Sequence, residues 1–566
     1  MTEGASKILK WLVLFIIPLL IYIASLPAIP LIEPDEGRYS LIPQEMIQTG
    51  DYVTPRLKGV DYFEKPVLDY WATAVSFKIF GENAFASRLF VALCAWGCIM
   101  LAYRIGRRFH DEKTGIFAAA LLSTTIYHFV MGRAHVLDMP LTFFVSMGIW
   151  SCYRFFEDER RKRIWLYLAY FFAGLAFLSK GLIGVVFPFT IAFFWLVFRK
   201  RFRDIFRLIS PAGLIILLLV TGPWLYLVQK ANPDFFNFFF IHEHLQRFTT
   251  KIHNRYEPFW FFIPVLIGGF IPWLGYLPQA IKYMRPRIGF IFKKDETAFL
   301  LTWAGFVFLF FSASSSKLVP YIAPVFIPLS VMLGHIFRQG DDALRQGSHV
   351  TTGIIASSAV WLQSAAIGTG IVFLPLFDKG SLISMSRWLP YVIVPVIMLL
   401  CLTFLPSMVR KRLRQGWFFS IYIFSAVFFL SLLVPAAKYV TPYKSALPIV
   451  EAIREHVPEG SVPVQFKMSN YGIDFYTRMK TPVVDDYGEL DYGVAKLSNE
   501  EKIRRFPSSR DFFEQYKKSG EEWCVTDDIY KVDILKEKSP AAEVLWQNRE
   551  YFLIHMKKGT SIGGKP

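Results

Sequence analysis

Charge is scarce in this chain. Only 19% of its residues are Asp, Glu, Lys or Arg, against 54% hydrophobic and 17% aromatic, and the mean hydropathy is +0.36. That balance excludes a soluble globular protein of 566 residues and points to a helical chain crossing a bilayer many times. The apolar runs have helix length, roughly 17–25 residues, whereas a membrane β-barrel would alternate over strands of about 10. Cysteine is scarce as well. Of the five, Cys94, Cys98, Cys152 and Cys401 lie in apolar spans and only Cys524 lies in the polar tail, which argues against a structural disulfide there and against a cysteine metal site. Cys94 and Cys98, one helical turn apart, read as core packing. The tail has no GxGxxG and no P-loop, so no nucleotide cofactor is expected.

What charge there is has one sign and one place. The net charge is +17, a value that often signals nucleic-acid binding. From Pro435 onward, however, 20 Lys and Arg balance 20 Asp and Glu, so the whole excess lies earlier, in short loops between apolar spans. No nucleic-acid partner is expected. The reading gives about thirteen spans, near 8–29, 83–103, 114–131, 138–154, 164–178, 181–198, 208–228, 259–281, 297–312, 318–337, 351–374, 386–407 and 417–434. Basic clusters at Arg104–Lys113, Arg154–Arg163, Arg199–Arg207, Lys282–Lys294 and Arg410–Arg414, with Lys7 and Lys10, then all fall on one side. The opposite turns carry single basic residues, Arg133, Lys180, Lys317 and Lys379. The N-terminus is therefore expected in the cytoplasm and the tail on the far side. The first span reads as an uncleaved anchor rather than a signal peptide. Ser179–Gly181 interrupts a long apolar run and favours a turn there.

Two domains are expected: residues 1–434 in the membrane, and residues 435–566 as a small α/β domain. In the tail, Ser445–His456 and Ser509–Lys518 read as helices. Val462–Phe466, Thr481–Val484 and Trp523–Thr526 read as strands, and Val544–His555 as a terminal strand or hairpin. No catalytic constellation stands out in the tail, which reads as a recognition or packing domain. The first far-side loop, Pro30–Glu82, carries two helical patterns near Glu36–Gln48 and Pro66–Phe80, with Pro66 suited to the first helical position. Leu68, Trp71, Ala72, Val75 and Ile79 form a stripe suited to lying in the membrane interface.

Chemistry concentrates in that loop and the far-side turns. Asp35 and Glu36, in EPDEGRY just outside the first span, are the leading candidates for a catalytic acid or base. Capping of the following helix is the plain alternative. Arg38 and Tyr39 share that element, with Arg38 able to hold a carboxylate or phosphate. In YFEKP, Tyr62, Glu64 and Lys65 form a second knot, and Lys65 before a helix start suits an anionic ligand. It could equally be a solvated interfacial lysine. Arg133, His135 and Asp138 occupy RAHVLDMP, where Asp138 is either an N-cap or a further carboxylate facing the same cavity. IHEHLQRF supplies His242, Glu243, His244 and Arg247. Its spacing is not HExxH, so a zinc-protease reading is poor, but a histidine here and Glu64 could hold a metal. Lys317 and Tyr321 begin a later span, where Lys317 could snorkel and Tyr321 could reach a phosphate.

EPDEGRY, TGDYVTPRLKGVDYFEKPVLDYW, LDMP, HEHLQRF with PFWFF, and SKLVPYIAP together resemble the aminoarabinose (4-amino-4-deoxy-L-arabinose) lipid A transferase family. These are integral-membrane glycosyltransferases of GT-C type, related to protein O-mannosyltransferases. The motifs spread over residues 33–330. The sequence departs from the family pattern at Gly37, where threonine is expected, and at Met139 between Asp138 and Pro140. The resemblance implies a polyprenyl-phosphate sugar donor and a glycolipid acceptor such as lipid A. It places transfer on the periplasmic side of the bacterial inner membrane. It also implies that Asp35 is the essential acid, that Lys65, Arg247 and Tyr321 bind the lipid-linked phosphate, and that Glu64 and His244 hold a divalent metal, zinc by preference. Glu36 and Asp138 join the catalytic candidates, and Arg38, Tyr39, Tyr62, Arg133 and Lys317 the substrate-binding ones. The rival readings are a transporter or flippase of lipid-linked sugars and a non-catalytic envelope-assembly protein. The transporter fits less well, because charge gathers in loops rather than at mid-span.

Overall fold

The computed structural model describes residues 12–24, 26–246, 257–271, 273, 294–345, 437 and 441–558. In chain order the first elements are helix α1 (Ile17–Ile23), α2 (Asp35–Thr49), strands β1 (Arg56–Leu57) and β2 (Val60–Asp61), α3 (Leu68–Phe80) and α4 (Ala84–Phe109). The helices α5 (Glu112–Thr124), α6 (Asp138–Glu157), α7 (Lys162–Lys180), α8 (Ile183–Phe198), α9 (Pro211–Ala231), α10 (Asp295–Ala313) and α11 (Phe326–Arg345) follow. The tail contributes α12 (Leu447–His456), β3 (Val464–Phe466), α13 (Tyr471–Thr477), β4 (Val483–Val484) and α14 (Ser509–Ser519). It closes with β5 (Glu521–Thr526), α15 (Ile529–Lys538), β6 (Glu543–Gln547) and β7 (Phe552–Lys557). Chain contacts divide the protein into two units, one of Met1–Leu26 with Arg88–Pro435, the other of Pro27–Ser87 with Ala436–Pro566. The first loop, read from sequence as part of the membrane domain, therefore packs with the tail.

The first unit is helical. Expected spans at 83–103, 138–154, 164–178, 181–198, 208–228 and 297–312 each emerge as one helix, within a few residues. The turn at Ser179–Gly181 has a local cause. Gly181 takes a positive φ of 90°, and α7 ends on Lys180. Gly184 then lies flat against the Ala176 backbone, so that α7 and α8 close into a tight hairpin. The expected span 114–131 breaks at Thr125, whose backbone is extended, leaving α5 and a short helix Ile126–Met131. The span at 318–337 opens as a 3-10 turn, Val319–Val325, because Pro320 and Pro324 withhold amide donors. Ala84–Phe109, Pro211–Ala231, Asp295–Ala313 and Val319–Gln339 are long and apolar enough to cross a membrane. The spans expected at 351–374, 386–407 and 417–434 lie outside the described residues, as do 272 and 274–281 of the span expected at 259–281, whose described part carries a helix at Phe262–Gly269.

The second unit is built on a five-stranded sheet of order β4-β3-β5-β7-β6. β3 runs parallel to β4 and β5, while β7 is antiparallel to both β5 and β6. Alternation along the strands sends successive side chains to opposite faces. Val525 and Leu553 pack with Ile449, Val450 and Ile453 of α12 and Ile473 of α13. Cys524, Ile554 and Met556 pack with Phe512 and Tyr516 of α14 and Val532 and Leu535 of α15. The hairpin expected over Val544–His555 is β6–β7, and sequence reading missed α13 and α15.

The first loop lies in this unit. β1 and β2 form a tight hairpin through Lys58 and Gly59, both with positive φ. α3 buries Tyr70, Ala74 and Phe77 and leaves Val75, Ile79 and Phe80 exposed, an apolar stripe suited to a lipid surface. Pro66 is not its first residue: α3 opens at Leu68, with Val67 in the N-cap position.

Candidate active site

The EPDEGRY segment starts α2, with Pro34 as N-cap and Asp35 and Glu36 in the first turn. The two neighbouring carboxylates part company, as the 100° step between helical neighbours requires. Glu36 is buried, and its Oε2 accepts from the Ile32 amide at 2.8 Å, which closes the entry to the helix. That is a structural task of the capping kind, the plain alternative for this acidic pair. Asp35 makes no cap bond, is about half exposed, and meets Arg38 at 3.3 Å.

Arg38 is the hub of the cluster. Its guanidinium pairs with Glu489 of the tail, approaches the Tyr62 hydroxyl at 3.4 Å, and lies over the rings of Tyr39 and Tyr471 at 5.5 and 5.7 Å. Tyr62 in turn donates to Glu489 at 3.1 Å. Burial pulls the Arg38 pKa down, but the Tyr62, Tyr39 and Glu489 oxygens outweigh it and hold it well above its usual value. Burial also pushes the Tyr39 and Tyr62 phenols well up, so both stay neutral donors. Two carboxylates, one guanidinium and two phenols thus share one wall. Glu489 and Tyr471 were invisible to sequence reading because nothing in GEL or NYG marks them. Only the fold brings the tail beside the first loop. Lys65 Nζ donates to the Glu64 carbonyl at 2.9 Å and lies 3.7 Å from the Glu64 carboxylate.

A second cluster belongs to the helical unit. Asp138 opens α6 without a side-chain cap bond, and its Oδ1 accepts from Lys180 Nζ at 2.6 Å. The same Nζ stands 4.9 Å from the ring centre of Tyr321. Lys180 was read as a turn signal and as one of the single basic residues of the far-side turns, not as a site residue. A lysine inside an apolar run is itself a functional signal, because charge there is expensive.

Two expected ligand-binding residues have other work. Arg133 donates to the Phe129 carbonyl at 2.8 Å and to the Ile21 carbonyl, with Phe129 and Tyr22 against its guanidinium. It ties α1 to the turn before α6. Lys317 donates to the carbonyls of Glu257 at 2.9 Å and Ser314 at 2.5 Å, and is buried rather than snorkelling. The side chains of His242, Glu243 and His244, and all of Arg247, lie outside the described residues. Among the described residues no three His, Cys, Asp or Glu side chains gather as a metal site. The Glu64 carboxylate lies 3.7 Å from the Lys65 ammonium.

The dolichyl-phosphate-mannose-protein mannosyltransferase family profile matches residues 64–226. The undecaprenyl phosphate-alpha-4-amino-4-deoxy-L-arabinose arabinosyl transferase of Edwardsiella ictaluri is 30% identical over 382 residues, 66% of this chain and 68% of its own length. The chain belongs to this family. The corresponding transferase 1 of Proteus mirabilis is 35% identical over 339 residues, 59% of this chain and 60% of its own length. The chain thus spans a little under two thirds of several curated family members it matches. Among solved structures, ArnT from Cupriavidus metallidurans bound to undecaprenyl phosphate superposes with a TM-score of 0.80 at 26% identity, over 98% of this chain and 99% of that one. Its apo state gives 0.78. The family's fold, a multi-pass helical membrane protein of GT-C type, is therefore the fold of this chain.

Proposed function

We propose that the protein is a membrane glycosyltransferase. It moves aminoarabinose or a related sugar from undecaprenyl phosphate, or a like polyprenyl phosphate, to lipid A or another envelope glycolipid. The carrying observation is the wall formed by Asp35, Arg38, Tyr39, Tyr62 and Glu489, in a chain that superposes end to end on a protein solved with undecaprenyl phosphate. The bond between the anomeric carbon and the donor phosphate oxygen breaks, and a bond from that carbon to the acceptor oxygen forms. Negative charge grows on the leaving phosphate, where Lys65 and Arg247 stabilise it and Tyr321 adds a hydroxyl. Positive charge grows on the sugar, opposite the Asp35 carboxylate. A phosphate acceptor arrives ionised and needs no base, so Asp35 orients the sugar. A hydroxyl acceptor gives its proton to Asp35. Tyr39, kept neutral by burial, donates a hydrogen bond to a sugar or phosphate oxygen, while Tyr62, whose proton goes to Glu489, holds the carboxylate beside Arg38.

In this reading the N-terminus is cytoplasmic, the tail periplasmic, and the full set of spans thirteen. We also propose Glu64 and His244 as donors to a divalent ion, zinc by its preference for nitrogen and carboxylate oxygen. Metal analysis of purified wild type and His244→Ala tests that pair. The deciding experiment for the function is mass spectrometry of lipid A and other glycolipids from cells with and without the chain, joined to transfer by purified protein. An aminoarabinose-sized adduct that depends on the chain supports the reading. Purified protein that neither transfers nor hydrolyses the donor favours the flippase or assembly alternatives.

A further inference from the structure

Glu33 stands two residues before Asp35, on the edge of the cluster described above. Its amide donates to the Lys444 carbonyl at 2.7 Å, and its side chain folds inward. Both carboxyl oxygens are buried and have no hydrogen-bond partner among the described residues. The Gly472 and Tyr471 amides face the carboxyl without closing bonds of ordinary geometry. What holds it is shape. A methyl group placed on Gly37 would stand 2.2 Å from Glu33 Oε1, and one placed on Gly472 would stand 2.1 Å from the same atom. Neither glycine has a positive φ, so neither is there for its backbone. Both are there for space, one in the first turn of α2 and one in the first turn of α13.

We propose that Glu33 is a positioning residue of this chain, a carboxyl wedge that seats the acidic turn of α2 on the tail, with Gly37 and Gly472 kept small to admit it. The seat matters because Arg38, one turn beyond Glu33, must reach Glu489 of that same tail while Asp35 faces the reaction. The proposal rests on the functional reading of Asp35 and Arg38. A flexible side chain usually yields to an added methyl, but here the same Oε1 lies against both glycines, so moving away from one brings it onto the other. The groups facing the carboxyl are Glu36 and Arg38 of α2, the Tyr471 and Gly472 amides of α13, and Tyr551 before β7. Burial pushes its pKa up to about 8, the Gly472 amide opposes that, and the Glu36 carboxylate adds to it. The wedge is therefore a neutral acid at pH 7, which a glutamine can imitate.

The test compares Gly37→Thr, Glu33→Ala, the double variant and Glu33→Gln, each purified in detergent, by transfer kinetics and thermal unfolding. Gly37→Thr should lower kcat by about tenfold or more, since small displacements of a positioning element are costly. Glu33→Ala should itself lower kcat by about threefold or more, and the double variant should be about as slow as Gly37→Thr alone, because both changes undo one seat whereas independent sites would multiply their losses. Glu33→Gln should keep kcat at pH 7 and remove any loss of kcat that wild type shows as pH rises through about 8. Full activity in Gly37→Thr or in Glu33→Ala, or a double variant whose two losses multiply, overturns the proposal. So does a coupling that appears in Tm but not in kcat. If wild type itself transfers no sugar, the functional reading fails instead. The Tm coupling then still shows whether the wedge exists.

Discussion

Asp35 is the carboxylate of its cluster with the least structural employment. It is about half exposed and meets only Arg38 among the ion pairs described. Asp35→Asn should therefore abolish transfer while Tm stays within a few degrees of wild type. Wild-type turnover in Asp35→Asn membranes would remove it from the mechanism. Glu489 is the mirror case. It binds both Arg38 and Tyr62, so Glu489→Gln should loosen the hub and lower kcat by about tenfold, the scale of one charge-assisted hydrogen bond. An unchanged rate would mean that Arg38 needs no help from the tail. Lys65→Ala should weaken polyprenyl-phosphate binding by about tenfold or more, since hydrogen bonds to charged groups are worth about 1.5–3 kcal/mol. Equal affinity in Lys65→Ala and Arg247→Ala would move the phosphate elsewhere. The Asp35–Arg38 pair was legible in sequence as a neighbourhood, because both residues share one local motif. Glu489 was not, because an acid in a polar tail looks like any other until the fold delivers it. Arg133 and Lys317 show the reverse: a charge at a membrane turn advertises a ligand, and backbone carbonyls here hold both.

The β1–β2 hairpin shows how an element is held without a core of its own. Lys58 at its tip donates to Asp474 of α13 at 2.7 Å and to Thr481 at 3.0 Å, and both charged side chains are almost fully buried. Asp474 also accepts from Thr481, and Gln465 reaches the same knot. The hairpin's Gly59 amide donates to Glu45 of α2, and Arg505 donates to the Lys58 carbonyl. Asp474→Ala should cost about 3–5 kcal/mol, because it strands a buried lysine, whereas pairing Lys58→Met with Asp474→Leu should recover most of that loss. Unfolding of the three variants in detergent measures it, and a double variant as weak as Asp474→Ala would refute it. The same region carries a pH signature. Burial raises Glu45 to about 7 and Glu33 to about 8, both from 4.5. In this window the folded state keeps protons that the unfolded chain has released. Their contribution is complete below about 4.5 and is lost as pH climbs to 7–8. Tm should fall across that range, and Glu45→Gln should flatten part of the fall. A Tm that rises from pH 5 to 8 would contradict the assignment. Helices were the most legible elements, since hydrophobic runs announce them and Lys180–Gly181 marks a break. The α13 helix was missed because its seven residues, YGIDFYT, offer no stripe, and its Asn470 cap is visible only once Asn470 Oδ1 is seen accepting from Ile473.

For the molecule as a whole, the proposed orientation makes a direct claim. A reporter fused after Lys565 should read as periplasmic and one placed within Arg199–Arg207 as cytoplasmic; the opposite pattern would break the thirteen-span count. Composition alone made the membrane class legible, and alternation made the α/β tail legible. The grouping of Pro27–Ser87 with Ala436–Pro566 was not, because partnership between segments so far apart leaves no local trace. That grouping has a consequence in time. A ribosome adds about 5–20 residues per second, so the first loop emerges on the order of 20–70 s before Ala436 is made. Through that interval Lys58 and Glu45 have no tail to bury them, and Tyr62 and Arg38 wait for Glu489. Assembly of the active wall is thus a late event in biogenesis, and a nascent chain arrested before the tail should carry every sequence motif of the family and still be inert.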